Sequence, residues 1–306
     1  MIRVVFNPTA RGDKAQQVRE QLSQLARSAG GEVALHPTTG PGTAPDIARE
    51  AVETGCTVLV AAGGDGTVNE VLNGLATARN GLESTALGIL PLGTVNVFAK
   101  ELGIPSQLEA AWQVIQNGAV RNVDLPFVDS IHAGNPARRY FAQMAGAGMD
   151  SVAIGRVRWE LKKKAGQLAY LWACVETLGQ RQPRVEFEIS GTKRVTPLVG
   201  IGNGRFYGGR FPAFPKARLD DGLLDVTAVP RVNPLTLLRV LLALQRDRLA
   251  DCSAAHCFQT SELRLRATDG TPWHVEGDVA GDLPVSIGIR SRALQVVAPP
   301  GLKLKG

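Results

Sequence analysis

The segment that most restricts the fold is Thr57–Leu75, TVLVAAGGDGTVNEVLNGL. An apolar run ends in Gly63-Gly64-Asp65-Gly66-Thr67, and a helical pattern begins at once. A run that is apolar at successive positions suits a strand covered on both faces, as in a parallel sheet flanked by helices. Glycines let the backbone turn tightly and approach a ligand with no Cβ in the way. The helix that follows offers unpaired amides and the positive end of its dipole, a ready phosphate site. Asp65 would repel a bare phosphate, so the loop reads as a site for a nucleotide with a divalent cation. Thr67 can cap the helix or donate to a phosphate. The loop is neither G-x-x-x-x-G-K-[ST] nor G-x-G-x-x-G. A plain strand–helix turn is the alternative.

The surrounding sequence repeats this alternation. Strands are expected at Ile2–Phe6, Glu32–His36, Thr57–Ala62 and Ala86–Leu90. Helices are expected over Lys14–Ala29, Pro45–Glu53, Val68–Ala78, Val95–Leu102 and Leu108–Gln116. Such βαβα order argues for a three-layer α/β domain. Two more strands end in polar turns, FNPTARG at Phe6–Gly12 and PLGTVNVFA at Pro91–Ala99. In an open parallel sheet, ligands bind outside the carboxyl ends of the strands, where all three turns fall.

From about Asp124 the pattern changes to short β-type runs: Tyr140–Met144, Arg184–Ser190, Thr196–Gly202, Leu224–Val229, Glu262–Ala267, Pro284–Ile289 and Ala293–Ala298. Gly and Pro punctuate them, which suits an antiparallel domain. Helices interrupt at Leu161–Leu178 and Pro234–Leu249. The second is apolar on most sides and reads as core, with an entry for an acyl chain as the alternative. The aromatics of Gly208–Phe214 either pack on the sandwich or touch lipid. The chain of 306 residues fits two domains at about 150 each. The boundary is expected near Arg121–Asp129, giving domains 1–125 and 126–306. Whether Leu294–Ala298 returns to the first domain stays open.

Composition narrows the partners. A net charge of +6 suits anionic ligands, whether nucleotide phosphates, nucleic acid or an acidic membrane face. Aromatics are only 5%, which argues against a base-stacking surface and so against nucleic acid. No apolar stretch reaches about 18 residues, so membrane contact is expected to be peripheral. The N-terminus lacks the pattern of a signal peptide. The four dispersed cysteines read as reduced thiols in a cytoplasmic setting. Cys252, His256 and Cys257 lack the C-x-x-C spacing of a zinc hook.

Taken together, Asn7-Pro8, Gly63–Thr67 with Asn69-Glu70, Pro91–Ala99, Gly202-Asn203-Gly204 through Gly208-Gly209, and Ala217–Val226 (ARLDDGLLDV) resemble the diacylglycerol kinase catalytic family. The likeness covers nearly the whole chain and is nearest to bacterial soluble lipid kinases of the diacylglycerol/sphingosine kinase superfamily. Gly63–Thr67 alone is less specific, since NAD kinases share it. The resemblance implies a phosphofructokinase-like α/β domain and a β-sandwich domain, with ATP in the cleft between them. It puts nucleotide contacts on Asn7, Pro8, Thr38, Gly63, Gly64, Asp65, Gly66, Thr67, Val68, Asn69 and Thr94. It puts a structural magnesium on Asp221 with the carbonyls of Arg218 and Leu223, an oxygen set that suits this hard cation.

The chain departs from the family pattern in three places. Ala10-Arg11 replaces Ser-Gly in the first turn, and Val97 stands where an Asp often follows Asn96. Near the C-terminus the family's Asp-Gly-Glu is reversed to Glu276-Gly277-Asp278. The resemblance puts the catalytic base on Asp278, with Glu276 the alternate and Asp65 near the cation. From the residues alone, V-E-G-D also suits a hairpin turn. The basic run Lys162-Lys163-Lys164 is a solvated face or a clamp for phosphate or lipid headgroups, with Lys164 the contact. The expected function is transfer of the ATP γ-phosphate to a lipid hydroxyl at a membrane surface, with diacylglycerol the default acceptor. An NAD kinase-like enzyme and a nucleotide- or lipid-binding regulator without turnover are the alternatives, and a homodimer stays open.

Overall fold

The computed structural model describes residues 1–30, 33–156, 182–189 and 191–302. The helix expected at Leu161–Leu178, and with it Lys162, Lys163 and Lys164, lies outside the described residues. The chain divides into two compact units. The first holds Met1–Leu125, Leu219–Asp221 and residues 290–302; the second holds the other described residues.

The first unit is a mixed α/β sheet domain. It begins β1 (Ile2–Phe6), α1 (Ala15–Ser28), β2 (Val33–Pro37), α2 (Ala44–Glu53), β3 (Val58–Gly63) and α3 (Asp65–Thr77). It continues with a single turn α4 (Gly81–Ser84), β4 (Ala86–Pro91), α5 (Val97–Glu101), α6 (Leu108–Asn117) and the start of β5 (Ala119–His132). The parallel strands lie in the order β2-β1-β3-β4. Val4, Val5, Leu59, Val60, Ala61 and Leu87 are fully buried, as expected of strands covered on both faces. Gly74 lets α3 meet α2, because a Cβ there would overlap the Pro45 carbonyl oxygen.

The second unit carries the rest of β5, then β6 (Asn135–Tyr140), β7 (Met144–Gly148), α7 (Met149–Arg156), β8 (Val185–Ile189), β9 (Thr192–Thr196) and β10 (Leu198–Gly202). There follow β11 (Phe206–Tyr207), β12 (Phe211–Pro212), β13 (Leu224–Val229), α8 (Pro234–Gln245), β14 (His256–Thr260), β15 (Glu262–Leu265), β16 (Pro272–Val275), β17 (Asp278–Asp282) and β18 (Val285–Ala298). One antiparallel sheet runs β14-β13-β10-β7-β16-β17. Its inward side chains, among them Ala145, Ile201, Val226 and Val275, share one core with Val128 of β5, Phe187 of β8, Leu263 of β15 and Ile287 of β18. This unit is therefore an antiparallel β-sandwich.

Several elements differ from the sequence expectation. The strand expected at Tyr140–Met144 is two strands, β6 and β7, that meet there. The runs Pro284–Ile289 and Ala293–Ala298 form one 14-residue strand, β18. Arg292 sits within it at a φ of 51°, and its amide donates to Asp124 Oδ1 at 2.7 Å. That irregularity made one strand look like two. The end of β18 lies parallel to β4 in the first unit, with Val296 opposite Leu87. The helix at Pro234–Leu249 is α8, which ends at Gln245 and has no fully buried residue. The reading of this helix as core is thus corrected. Phe214 packs inward, against Met144 and Ala217, where a Cβ on Gly202 would overlap its ring.

Candidate active site

The four parallel strands of the first unit each end in a polar turn, and backbone bonds tie neighbouring turns together. Thr38 N, after β2, donates to the Phe6 carbonyl of β1 at 2.9 Å. Asn7 N, after β1, donates to Ala62 O of β3 at 3.1 Å. Leu92 N and Gly93 N, after β4, donate to Gly63 O at 2.9 and 3.2 Å. Asn7, Pro8, Thr38, Gly63–Thr67 and Thr94 therefore share one edge of the sheet. Asn7 Oδ1 accepts from Thr9 N and Oγ1, which holds the first turn.

Two glycines make the tightest approach. A Cβ on Gly93 would lie 2.5 Å from Gly64 Cα and 2.7 Å from Asn96 Oδ1. Asn96, itself at a φ of 52°, brackets Gly93 from both sides. Its Oδ1 accepts from Gly93 N and its Nδ2 donates to Gly93 O. Gly64 at the N-cap supplies no side-chain cap to α3, whose first helical bond is Val68 N to Gly64 O. The amides of Asp65, Gly66 and Thr67 precede that bond and so have no acceptor within α3, which suits an anionic ligand.

Asp65 spans two turns. Its Oδ1 accepts from Val97 N at 2.7 Å, capping α5 from another element. Burial pushes its carboxyl above the usual range, opposed by the amides of Val97, Phe98 and Asn96 and by Lys100. Val97, where the family often has an acid, is the amide that Asp65 holds. Val68 is buried at 4%, and the buried Asn69 accepts from Asn73 through its carboxamide oxygen. Arg11 is exposed, with a φ of 62°.

A second acidic locus belongs to the same unit. Asp124 is fully buried; its amide donates to Leu219 O and its carboxylate accepts from Arg292 N. Arg292 Nε donates to Asp220 O at 3.1 Å. These bonds anchor the turn that leads to Asp221. Among the described residues, no three His, Cys, Asp or Glu side chains gather in a way that could hold a metal. An ion at Asp221 would therefore need carbonyl oxygens and water to complete its shell. That set fits magnesium, which keeps waters and takes one or two carboxylates.

In the second unit, Glu276-Gly277 is the turn between β16 and β17. Glu276 has a φ of 52°, and its Oε1 accepts from Ala142 N and Gln143 N at 2.8 and 2.7 Å. Asp278 begins β17, and its exposed side chain makes no hydrogen bond or ion pair among the described residues. The two acids thus differ: one is clamped, the other exposed.

Directly before this turn lies a group that the sequence reading did not single out. His274 Nε2 meets Asp150 Oδ2 at 3.0 Å, with exposures of 0% and 2%. Tyr207 Oη reaches the same oxygen at 3.4 Å, and Ser151 N donates to Asp150 Oδ1. A Cβ on Gly146 would strike both His274 and Asp150. The only hint in the sequence is an acid closing the small-residue run MAGAGMD.

Comparison with known proteins agrees with this architecture. The model "Diacylglycerol kinase catalytic domain" matches residues 1–128, and "YegS C-terminal NAD kinase beta sandwich-like domain" matches residues 143–298. The chain is 33% identical to a diacylglycerol kinase of Bacillus subtilis over 307 residues, covering 97% of this chain and 96% of that one. It is also 33% identical to "Probable lipid kinase YegS-like" of Pseudomonas aeruginosa, covering 94% and 92%. A crystal structure of a diacylglycerol kinase from Bacillus anthracis shares the fold at a TM-score of 0.77 and 21% identity, covering 98% and 97%. Fold and matches place the chain in the class of two-domain proteins whose curated relatives are named diacylglycerol and lipid kinases. The chain belongs to the diacylglycerol kinase catalytic-domain family, with a YegS-type C-terminal domain.

Proposed function

We propose that this protein transfers the γ-phosphate of ATP to the hydroxyl of a lipid, diacylglycerol first among them. One observation carries the proposal: the turns after Gly63 and Leu92 are locked together beside the uncapped start of α3, within a chain whose relatives are named diacylglycerol and lipid kinases. In this reading residues 1–125 hold the nucleotide and 126–306 the lipid.

The amides of Asp65, Gly66 and Thr67 bind phosphate oxygens, with Asn7, Pro8, Thr38, Gly63, Gly64 and Thr94 shaping the same edge. Val68 and Asn69 support the helix behind them. Asp65, with Asp221, would hold the magnesium that neutralises charge at the phosphates, and a structural magnesium would sit on Asp221 with the carbonyls of Arg218 and Leu223. Asp65 holds the two turns in register. Asp278, exposed at the start of β17, accepts the proton of the lipid hydroxyl as that oxygen attacks the γ-phosphorus. The bond to the bridging oxygen breaks and ADP leaves. Glu276 positions the turn that carries Asp278. The protein works at a membrane surface from the cytoplasmic side, because its acceptor resides there.

The test is incubation of the full chain with γ-labelled ATP, magnesium and diacylglycerol in detergent micelles, and chromatography of the products. A labelled phosphatidic acid is expected. Absence of labelled lipid, with ATP binding intact by titration, contradicts the proposal. NAD runs in a parallel tube, because the C-terminal domain matches a model described as NAD kinase-like. Labelled NADP in place of labelled lipid would establish that second reading.

A further inference from the structure

Helix α8 is well anchored, but the described residues leave one of its faces uncovered. Asn233 caps it, accepting from Thr236 N at 2.9 Å, and Pro234 occupies its first turn. Leu237 and Val240 pack against Met149, Val229 and Val232. At its exit Asp247 is held by Arg205 at 2.7 Å. The opposite side is apolar and open: Leu235 is 56% exposed, Leu238 52% and Leu242 37%. Their spacing of three and four puts them on one stripe. The other exposed large apolar residues among those described, Val120, Ile131, Val195 and Val279, lie far apart in sequence. Single exposed apolar residues are ordinary; a contiguous stripe marks an interaction surface.

The charges beside the stripe say what covers it. Arg239 and Arg246 are exposed and follow the leucines at helical spacing; Arg231 is exposed just before the helix. Among the described residues none of these three arginines takes part in an ion pair. Pro234–Gln245 contains no acid. Two copies meeting through this face would bring arginines against arginines. An anionic bilayer would accept both features, leucines into the acyl boundary and arginines among the headgroups. No described helix is long and apolar enough to cross a membrane.

We propose that the outer face of α8, centred on Leu235, Leu238 and Leu242 and flanked by Arg231, Arg239 and Arg246, is the surface by which this protein docks on anionic membranes. The proposal rests on the reading that the acceptor is a lipid. It goes further by naming the face and the lipid charge.

The test is co-sedimentation of the full chain with phosphatidylcholine vesicles, with and without phosphatidylglycerol. The wild type should bind the anionic vesicles and scarcely the neutral ones. The triple variant Leu235→Ser/Leu238→Ser/Leu242→Ser should bind at least tenfold more weakly. Arg239→Glu/Arg246→Glu, a second variant at exposed positions, should lose roughly fivefold or more per charge. Both variants should phosphorylate a short-chain, monodisperse diacylglycerol within twofold of the wild type. Vesicle binding unchanged in both variants overturns the proposal. So does a concentration-dependent dimer in sedimentation velocity that the leucine variant abolishes, since a second copy is then the occupant. If no lipid is phosphorylated yet the variants stop binding vesicles, docking stands and the kinase reading fails.

Discussion

The glycine turns and the acidic hairpin are built by opposite means. After β1, β2, β3 and β4, successive turns are joined by main-chain bonds, and the close approach of Gly64 and Gly93 sets their spacing. At Glu276-Gly277, side chains do the fixing. A carboxylate takes two amides, and a buried His274–Asp150 pair stiffens the strand leading in. A site of main-chain amides tolerates side-chain change and fails when a glycine gains a Cβ. A site fixed by side chains fails one polar group at a time.

The largest break is expected on the hairpin side. His274→Ala leaves the Asp150 carboxylate buried without its ring partner and should cost about 3 kcal/mol, read by urea denaturation. An unchanged midpoint would show that the pair is idle. On the turn side, Gly93→Val should weaken ATP by tenfold or more and cost ~1–3 kcal/mol, because backbone, not a flexible side chain, stands in its way. Calorimetric titration with ATP reads the first effect and thermal melting the second.

Glu276 sharpens the contrast at a smaller scale. Glu276→Ala orphans two amides and should cost ~1–2 kcal/mol, whereas Glu276→Gln, which keeps an acceptor oxygen, should recover most of it. Equal losses in the two variants would show that charge, not the acceptor, holds the turn. The smallest effect concerns Asp65. Its carboxyl is raised by burial, so the native state favours the protonated form. That contribution is present below the ordinary carboxylate range and is lost as pH rises through the raised value. Asp65→Asn should therefore melt higher than the wild type at neutral pH, and the gap should narrow on acidification. A gap constant with pH would place the effect elsewhere.

The same contrast explains what the sequence made legible. The glycine turns are local: apolar run, glycines and helix start lie within a few residues, so Gly63–Thr67 and Gly93-Thr94 could be read directly. The hairpin depends on partners far along the chain; Ala142 and Gln143 are 134 and 133 residues from Glu276. β7 was displaced because MAGAG has few strand-forming residues. Its residues are small because a Cβ on Gly146 would strike His274 and one on Gly148 would overlap the Pro197 carbonyl. Helix α8 is apolar around most of its circumference, and that pattern carries no period to say which face is buried. β16 gave no alternating signal because polar His274 is drawn inside between the buried Trp273 and Val275.

The central claim is that nucleotide binding belongs to the turns and proton removal to Asp278. It is tested most directly by one variant, Asp278→Asn, measured twice: ATP affinity by titration and diacylglycerol phosphorylation by turnover. The account predicts affinity within about twofold of the wild type and turnover lowered at least 100-fold, the scale of a lost general base. Turnover retained in Asp278→Asn and lost in Glu276→Gln would contradict it and move the base to the clamped acid.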